Sequence, residues 1–149
     1  MGDSYSAEGG IAAVTATPGD TALAVVASTL TRGRIHYFKV AAGGTPADNV
    51  LQWLVRRVTA SGTGTAVTPA ALDGGAPTAQ LTAKDEISSE PTVGAILFNL
   101  YVHQRALYQW TSAPGKEIVV PATADNGVGF TPIHASYTGL GQAVAHWVE

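Results

Sequence analysis

Residues 98–110 read FNLYVHQRALYQW: four aromatics, one His, one Arg and two Gln in thirteen positions. Phe98, Leu100, Val102, Ala106, Tyr108 and Trp110 fall on one side of an extended chain, with Gln104 the single polar interruption. Asn99, Tyr101, His103, Arg105 and Gln109 fall on the other, with Leu107 as the exception. A period of two is the signature of a β-strand with one face in a core. Extended to 95–110, the run is long for one strand and has no Gly, Pro or Asn-Gly near its middle. The reading is therefore a bent or bulged strand rather than a hairpin.

The same style continues in both directions. GIAAVTAT, TALAVVASTLT, RGRIHYFKVAA and NVLQWLVRRVTA precede it, divided by PGD, RG and GGTPAD. KEIVVPA, GVGFTPIHASYT and QAVAHWVE follow it, divided by TADNG and GLG. The runs are β-branched or aromatic, and the dividers are turn residues. Within PADNVLQWLVRRV, a helical stripe of Val50, Trp53, Leu54 and Val58 competes with the strand pattern Leu51, Trp53, Val55, and the strand reading prevails. Many short strands closely spaced by turns predict an all-β fold: an antiparallel β-sandwich, jelly-roll-like. Trp53, Trp110 and Trp147 each lie in a strand and anchor the core.

The chain length of 149 residues fits one domain, burying roughly 68–70% of its unfolded surface. Residues 1–10, MGDSYSAEGG, read as an extended, flexible N-terminal arm ahead of a single sandwich domain over 11–149. Residues 61–92 are poor in aromatics and without strong periodicity, and read as one long loop. A loop that long inside a compact domain is usually functional or disordered.

Composition narrows the function classes. Charged residues make up only 13% of the chain, against about 25% in ordinary domains, and the net charge is −3. A surface of Ala, Thr, Ser and Gly suits a protein that works inside an assembly. The few basic residues are dispersed, so nucleic acid is not an expected partner. Arg56-Arg57, the only adjacent pair, points to opposite faces of a strand. There is no cysteine, which removes disulfides and thiolate metal sites. No apolar run approaches the ~20 residues a spanning helix needs, so no membrane is expected. Met1-Gly2 with Ser6 matches the bare myristoylation pattern, but no polybasic patch supplies a second anchor, and the segment reads as a polar arm.

No catalytic set assembles in the sequence. His36, His103, His134 and His146 show no metal-ligand spacing, although a convergence of two of them with Asp85 or Glu86 in space stays open. No G-x-S-x-G elbow is present. GTGT at 62–65 lacks the third Gly, the Lys and the helix of a phosphate cradle. Asp85-Glu86 beside Lys84 reads as a solvated turn. ADNG at 124–127 is a tight turn, and Pro121 marks a strand end or edge. The expectation is a protein that is not an enzyme and uses no cofactor or metal. The polar face of 99–109 (Asn99, Tyr101, His103, Arg105, Gln109) is the expected inter-subunit face, joined by Tyr5 of the arm and by Asp85 and Glu86 of the loop.

Three stretches together, NVLQWLVRRVTASGTGTAVTPAALD, the EPT before a long strand, and HQRALYQWTSAPGKEIVVPAT, resemble small structural proteins of tailed bacteriophages over roughly residues 35–149. The most distinctive part is the H-Q-R-A-x-x-x-W pattern followed by a Pro-Gly turn and E-x-V-x-P-A. The resemblance implies a jelly-roll decoration (cement) protein on the capsid exterior of a virion, made in the host bacterial cytoplasm. It further implies a homotrimer that binds the major capsid protein between capsomers. The alternatives are a tail or baseplate accessory protein and a glycan- or receptor-binding module.

Overall fold

A computed structural model describes the whole chain except residues 1, 12, 13, 15–19, 29, 136 and 138. Its elements are twelve β-strands: β1 Ser4–Ile11, β2 Leu23–Val26, β3 Gly33–Ala42, β4 Val50–Ala60, β5 Thr63–Val67, β6 Ala70–Ala71, β7 Thr82–Ser89, β8 Thr92–His103, β9 Leu107–Thr111, β10 Ile118–Val120, β11 Gly127–Ile133 and β12 Gly141–Val148. They form two antiparallel sheets. One runs β10-β3-β12-β1-β6, with β9 sharing the β10 edge of β3; the other runs β5-β7-β2-β11-β4-β8. The pairings nest from the outside inward: β1 with β12, β2 with β11, β3 with β9 and β10, β4 with β8. Each sheet carries alternate nested pairs, which is the jelly-roll arrangement. Between β4 and β8 in sequence, β5 and β7 are added to the β2 edge of the second sheet, while β6 pairs with β1 in the first.

The core follows from strand alternation. Ala143, Ala145 and Trp147 face inward from β12, while Gln142, Val144 and His146 face out. Leu51, Trp53 and Val55 of β4 meet Ile35, Phe38 and Val40 of β3 across the gap between sheets. Phe38 stands at the centre of an aromatic group with Phe98, Tyr108, Trp110 and Phe130. Trp53 and Trp147 are fully buried and Trp110 packs against the same cluster, so all three tryptophans anchor the core. Truncating Trp53 or Trp147 to Ala costs about 3–5 kcal/mol.

Three segments differ from the sequence reading. The expected arm over 1–10 is a strand from Ser4 onward, lying between β12 and β6. Alternation hides there because small residues fill the inward positions: Ala7 and Gly9, with only Tyr5 large. A Cβ on Gly9 would sit 2.7 Å from the Ala22 carbonyl oxygen, so the small residue permits close packing. The expected loop over 61–92 contains β5, β6 and β7; its Thr- and Ala-rich strands bury little and so lack an apolar period. The run 95–110 is neither one bulged strand nor a hairpin. It breaks at 104–106 and crosses from one sheet to the other, with β8 and β9 on opposite sides of the sandwich.

Candidate interaction surface

The crossing at 104–106 is built around Gln104. Its side chain is buried, accepting a hydrogen bond from the Ala47 N–H at 2.8 Å, while its own N–H donates to the Asn49 carbonyl at 2.8 Å. One polar residue in an apolar stripe thus holds the corner, because a buried amide needs partners and finds them in the 47–49 backbone. Outside it, the Arg105 Nε lies 3.1 Å from an Asp48 carboxylate oxygen, with the His103 Nε2 4.0 Å from the same atom. The His103 Nδ1 accepts the Arg105 N–H at 3.2 Å. All three side chains are exposed, so the pair contributes little to stability.

Asn99, Tyr101, His103 and Arg105 therefore form one exposed row along β8 and its corner. Gln52 on β4 donates to the Asn99 side-chain oxygen at 2.8 Å, and Tyr101 is 67% exposed. Gln109 is exposed too, but on β9 in the opposite sheet, beside Lys39. Tyr5 is not a surface residue: it is 2% exposed, its ring tilted against Trp147 with centres 6.2 Å apart, and its hydroxyl donates to the Pro77 carbonyl at 2.9 Å. Asp85 and Glu86 sit on β7, with β2, β11 and β4 lying between them and β8. They are mid-strand rather than a solvated turn, and Lys84 bonds Ser61 and the Gly62 carbonyl instead of either acid. Burial, and then the neighbouring Glu86, holds the Asp85 carboxyl above its usual range.

The row is part of a larger feature. β8 is the outer strand of its sheet, twelve residues or about 40 Å long. The other outer strands are short: β5 and β9 five residues, β10 three, β6 two. Short outer strands are how natural sheets avoid edge-to-edge association; charge and proline are others. β8 has none of these, since Thr92 to Val102 contains no charged residue and no proline. Its first half exposes Val93 and Ile96, the latter by 56%, and is irregular against β4, with register shifts from Val55 to Ala60. Its second half, Phe98 to His103, pairs regularly. Sequence reading found the polar half by its aromatics. It missed the apolar half because exposure of Val93 and Ile96 follows from their place at an edge, which composition does not encode.

The adjacent arginines do point to opposite sides of β4. Arg56 leaves the side away from the core cluster and is nonetheless 6% exposed. Its Nη2 donates to the Thr131 hydroxyl at 3.1 Å; Thr131 and Thr21 hydroxyls lie 2.9 Å apart, and Thr21 gives its N–H and O–H to the two Glu90 oxygens at 2.9 and 2.6 Å. Arg57 shares the inward side with Val55 and crosses to the other sheet, donating to the Val119 carbonyl of β10. It lines a cleft of about 360 Å³ with Arg32, Val58, Thr59, Val119, Pro121, Asn126 and Gly127.

The histidines take separate places. His36 and His146 meet on the outer face of the first sheet with ring centres 6.3 Å apart, whereas Asp85 and Glu86 belong to the second. His146 also packs on Tyr37 at 4.7 Å, and burial, then His36 and Lys39, pushes its pKa below the ordinary histidine value. The His134 Nδ1 accepts the Tyr137 N–H at 2.7 Å. Among the described residues, no group of three His, Cys, Asp or Glu side chains is placed to hold a metal ion.

Fold and surface together define a jelly-roll β-sandwich with one long, charge-free outer strand. Compared with protein-family models, curated proteins and solved structures, the chain finds no match in any of the three.

Proposed function

We propose that the chain is a structural protein of a tailed-bacteriophage virion: a capsid decoration protein that acts as a homotrimer on the outer capsid surface and stabilises contacts between capsomers. The observation that carries this reading is the outer strand β8, charge-free from Thr92 to Val102 and exposing Val93, Ile96 and Tyr101. An uncovered strand of this length is an association hazard in an isolated chain and an asset in an assembly. The low proportion of charged residues points the same way. So does the resemblance of NVLQWLVRRVTASGTGTAVTPAALD and HQRALYQWTSAPGKEIVVPAT to small structural phage proteins. Three subunits, each touching a different capsid protein, would add modest contacts through effective concentration.

Two measurements test it. Sedimentation of the purified chain across a range of concentrations is expected to give a trimer, and Ile96→Lys with Tyr101→Lys to give a smaller species. Cosedimentation with capsids lacking the protein is expected to saturate and to raise their resistance to heat. Capsids equally heat-resistant with and without it would sink the decoration reading. Tyr101, an exposed ring beside Asn99 and Gln52, favours a glycan-binding module as the second reading. Saturable binding of oligosaccharides to the isolated chain, lost in Tyr101→Ala, would establish that instead.

A further inference from the structure

Arg57 carries a positive charge into the gap between the sheets and meets no negative one there. Its guanidinium donates to the Val119 carbonyl, which satisfies one nitrogen of the fork and neutralises nothing. Among the described residues it takes part in no ion pair, and no Asp or Glu lines the cleft. Burial alone lowers its pKa, with no carboxylate near enough to offset the effect. A second arginine, Arg32, opens onto the same space. Arg32 is exposed and also borders a neighbouring cleft with Arg34 and Glu149, so Arg57 is the fixed charge here and Arg32 stands at the rim. A desolvated guanidinium without an acid suits an oxyanion, because the planar fork matches a carboxylate or phosphate in pairs of hydrogen bonds.

The rest of the wall selects between those two. Val58, Val119 and Pro121 are apolar, while Thr59 and Asn126 supply neutral polar groups. That lining suits a carboxylate carried on an aliphatic stem. A phosphate of a nucleic acid would bring further charges along its backbone, and this chain, at net charge −3, has no basic track to meet them. The position is informative as well. Val58 pairs with Val93, and Gly94 lies beside the Arg57 side chain, so the cleft opens next to the apolar half of β8. A polypeptide laid along that half has its side chains within reach of Arg57.

We infer that the Arg32–Arg57 cleft is a binding site for a carboxylate side chain, that of a Glu or Asp on a partner polypeptide. The site anchors by charge a chain that β8 holds by its apolar surface. The inference does not depend on the partner being a capsid protein.

The test is a titration of the full chain followed by the amide and arginine side-chain resonances of a ¹⁵N-labelled sample. Acetyl-Ala-Glu-Ala-amide is the probe; acetyl-Ala-Gln-Ala-amide, inorganic phosphate and sodium chloride at matched ionic strength are the comparisons. The glutamate peptide is expected to give saturable shifts at the Arg57 Nε–H and at the Val58 and Gly127 amides, and the glutamine peptide none. Affinity is expected to fall roughly tenfold or more in Arg57→Gln, as for loss of one charge-assisted partner, and in the same direction in Arg32→Gln. Arg32→Gln lies outside the strands, so it reports even if Arg57→Gln misfolds. Absence of saturation, equal shifts with chloride, or shifts unchanged in both variants would overturn the inference. Tighter saturation by phosphate than by the glutamate peptide would overturn the assignment to a carboxylate.

Discussion

Arg56 and Arg57 are one residue apart on β4 and occupy opposite circumstances. Arg56 is the more deeply buried, yet a relay of two threonine hydroxyls connects it to the Glu90 carboxylate. Arg57 is less buried and has only a carbonyl for company. Strand alternation is the whole cause: it delivers two identical side chains to environments on opposite sides of a sheet. What differs is the counter-ion. Arg56 reaches a carboxylate through the two hydroxyls, although its Nε stays buried without a hydrogen-bond partner, whereas Arg57 is desolvated with no counter-ion at all. The first site finds its carboxylate within the chain, and the second opens onto a cleft that holds none.

The sharpest way to break this contrast is Arg56→Ala. Removing one member of a buried charge network leaves Glu90 and the threonines without their cation, at a cost of about 3 kcal/mol. Urea unfolding reads this directly. A loss under about 1 kcal/mol would mean that the relay contributes nothing and that the two arginines are alike.

Asp85 extends the comparison to negative charge. Its Oδ1 is buried without a hydrogen-bond partner, and burial, then Glu86, raises its pKa in the folded chain. A carboxyl whose folded pKa is raised binds its proton more readily folded than unfolded, so its contribution to stability is lost as pH rises through the folded value. Asp85→Asn is therefore expected to stabilise at neutral pH, by less than about 1 kcal/mol after solvent screening. That gain disappears as pH falls below the carboxylate range. Thermal unfolding at neutral and acid pH checks it; a gain that persists at acid pH would assign the effect to something other than ionisation.

The smallest expected change is at Arg57 itself. Arg57→Gln loses the bond to the Val119 carbonyl but relieves a desolvated charge, for a net effect within about 0.5 kcal/mol of zero. The same unfolding experiment measures it beside Arg56→Ala. A large loss at Arg57 would make it a structural strut between the sheets rather than a residue awaiting a ligand.

Much of the fold was legible where side chains are large. Trp53, Phe98, Phe130 and Trp147 set a period that no helix reproduces, and turn residues such as Asp125, whose φ is +63°, punctuate it. The reading lapsed where side chains are small. β1 buries Ala7 and Gly9 at positions that elsewhere hold Val or Phe, and β5 through β7 expose most of what they carry. The crossing at Gln104 was hidden for another reason. Its side chain replaces the glycine or proline that usually announces a break, and its partners lie more than fifty residues upstream. On the candidate surface, Asn99, Tyr101, His103 and Arg105 were recognisable as a row because they alternate on one strand. That Asp48 joins them, and that Arg32 joins Arg57, depends on tertiary placement and leaves no mark in local sequence.

The pairing of β1 with β12, Ser4 against Val148, also sets a schedule. During synthesis at ~5–20 residues per second, β1 is made before β12 and waits roughly 7–27 s for its long neighbour. In that interval Tyr5 has no Trp147 to lie against, and the first sheet lacks the strand that joins β3 to β1. The first sheet thus closes only once β12 has emerged, whereas β2, β4, β8 and β11 of the second are all made before it.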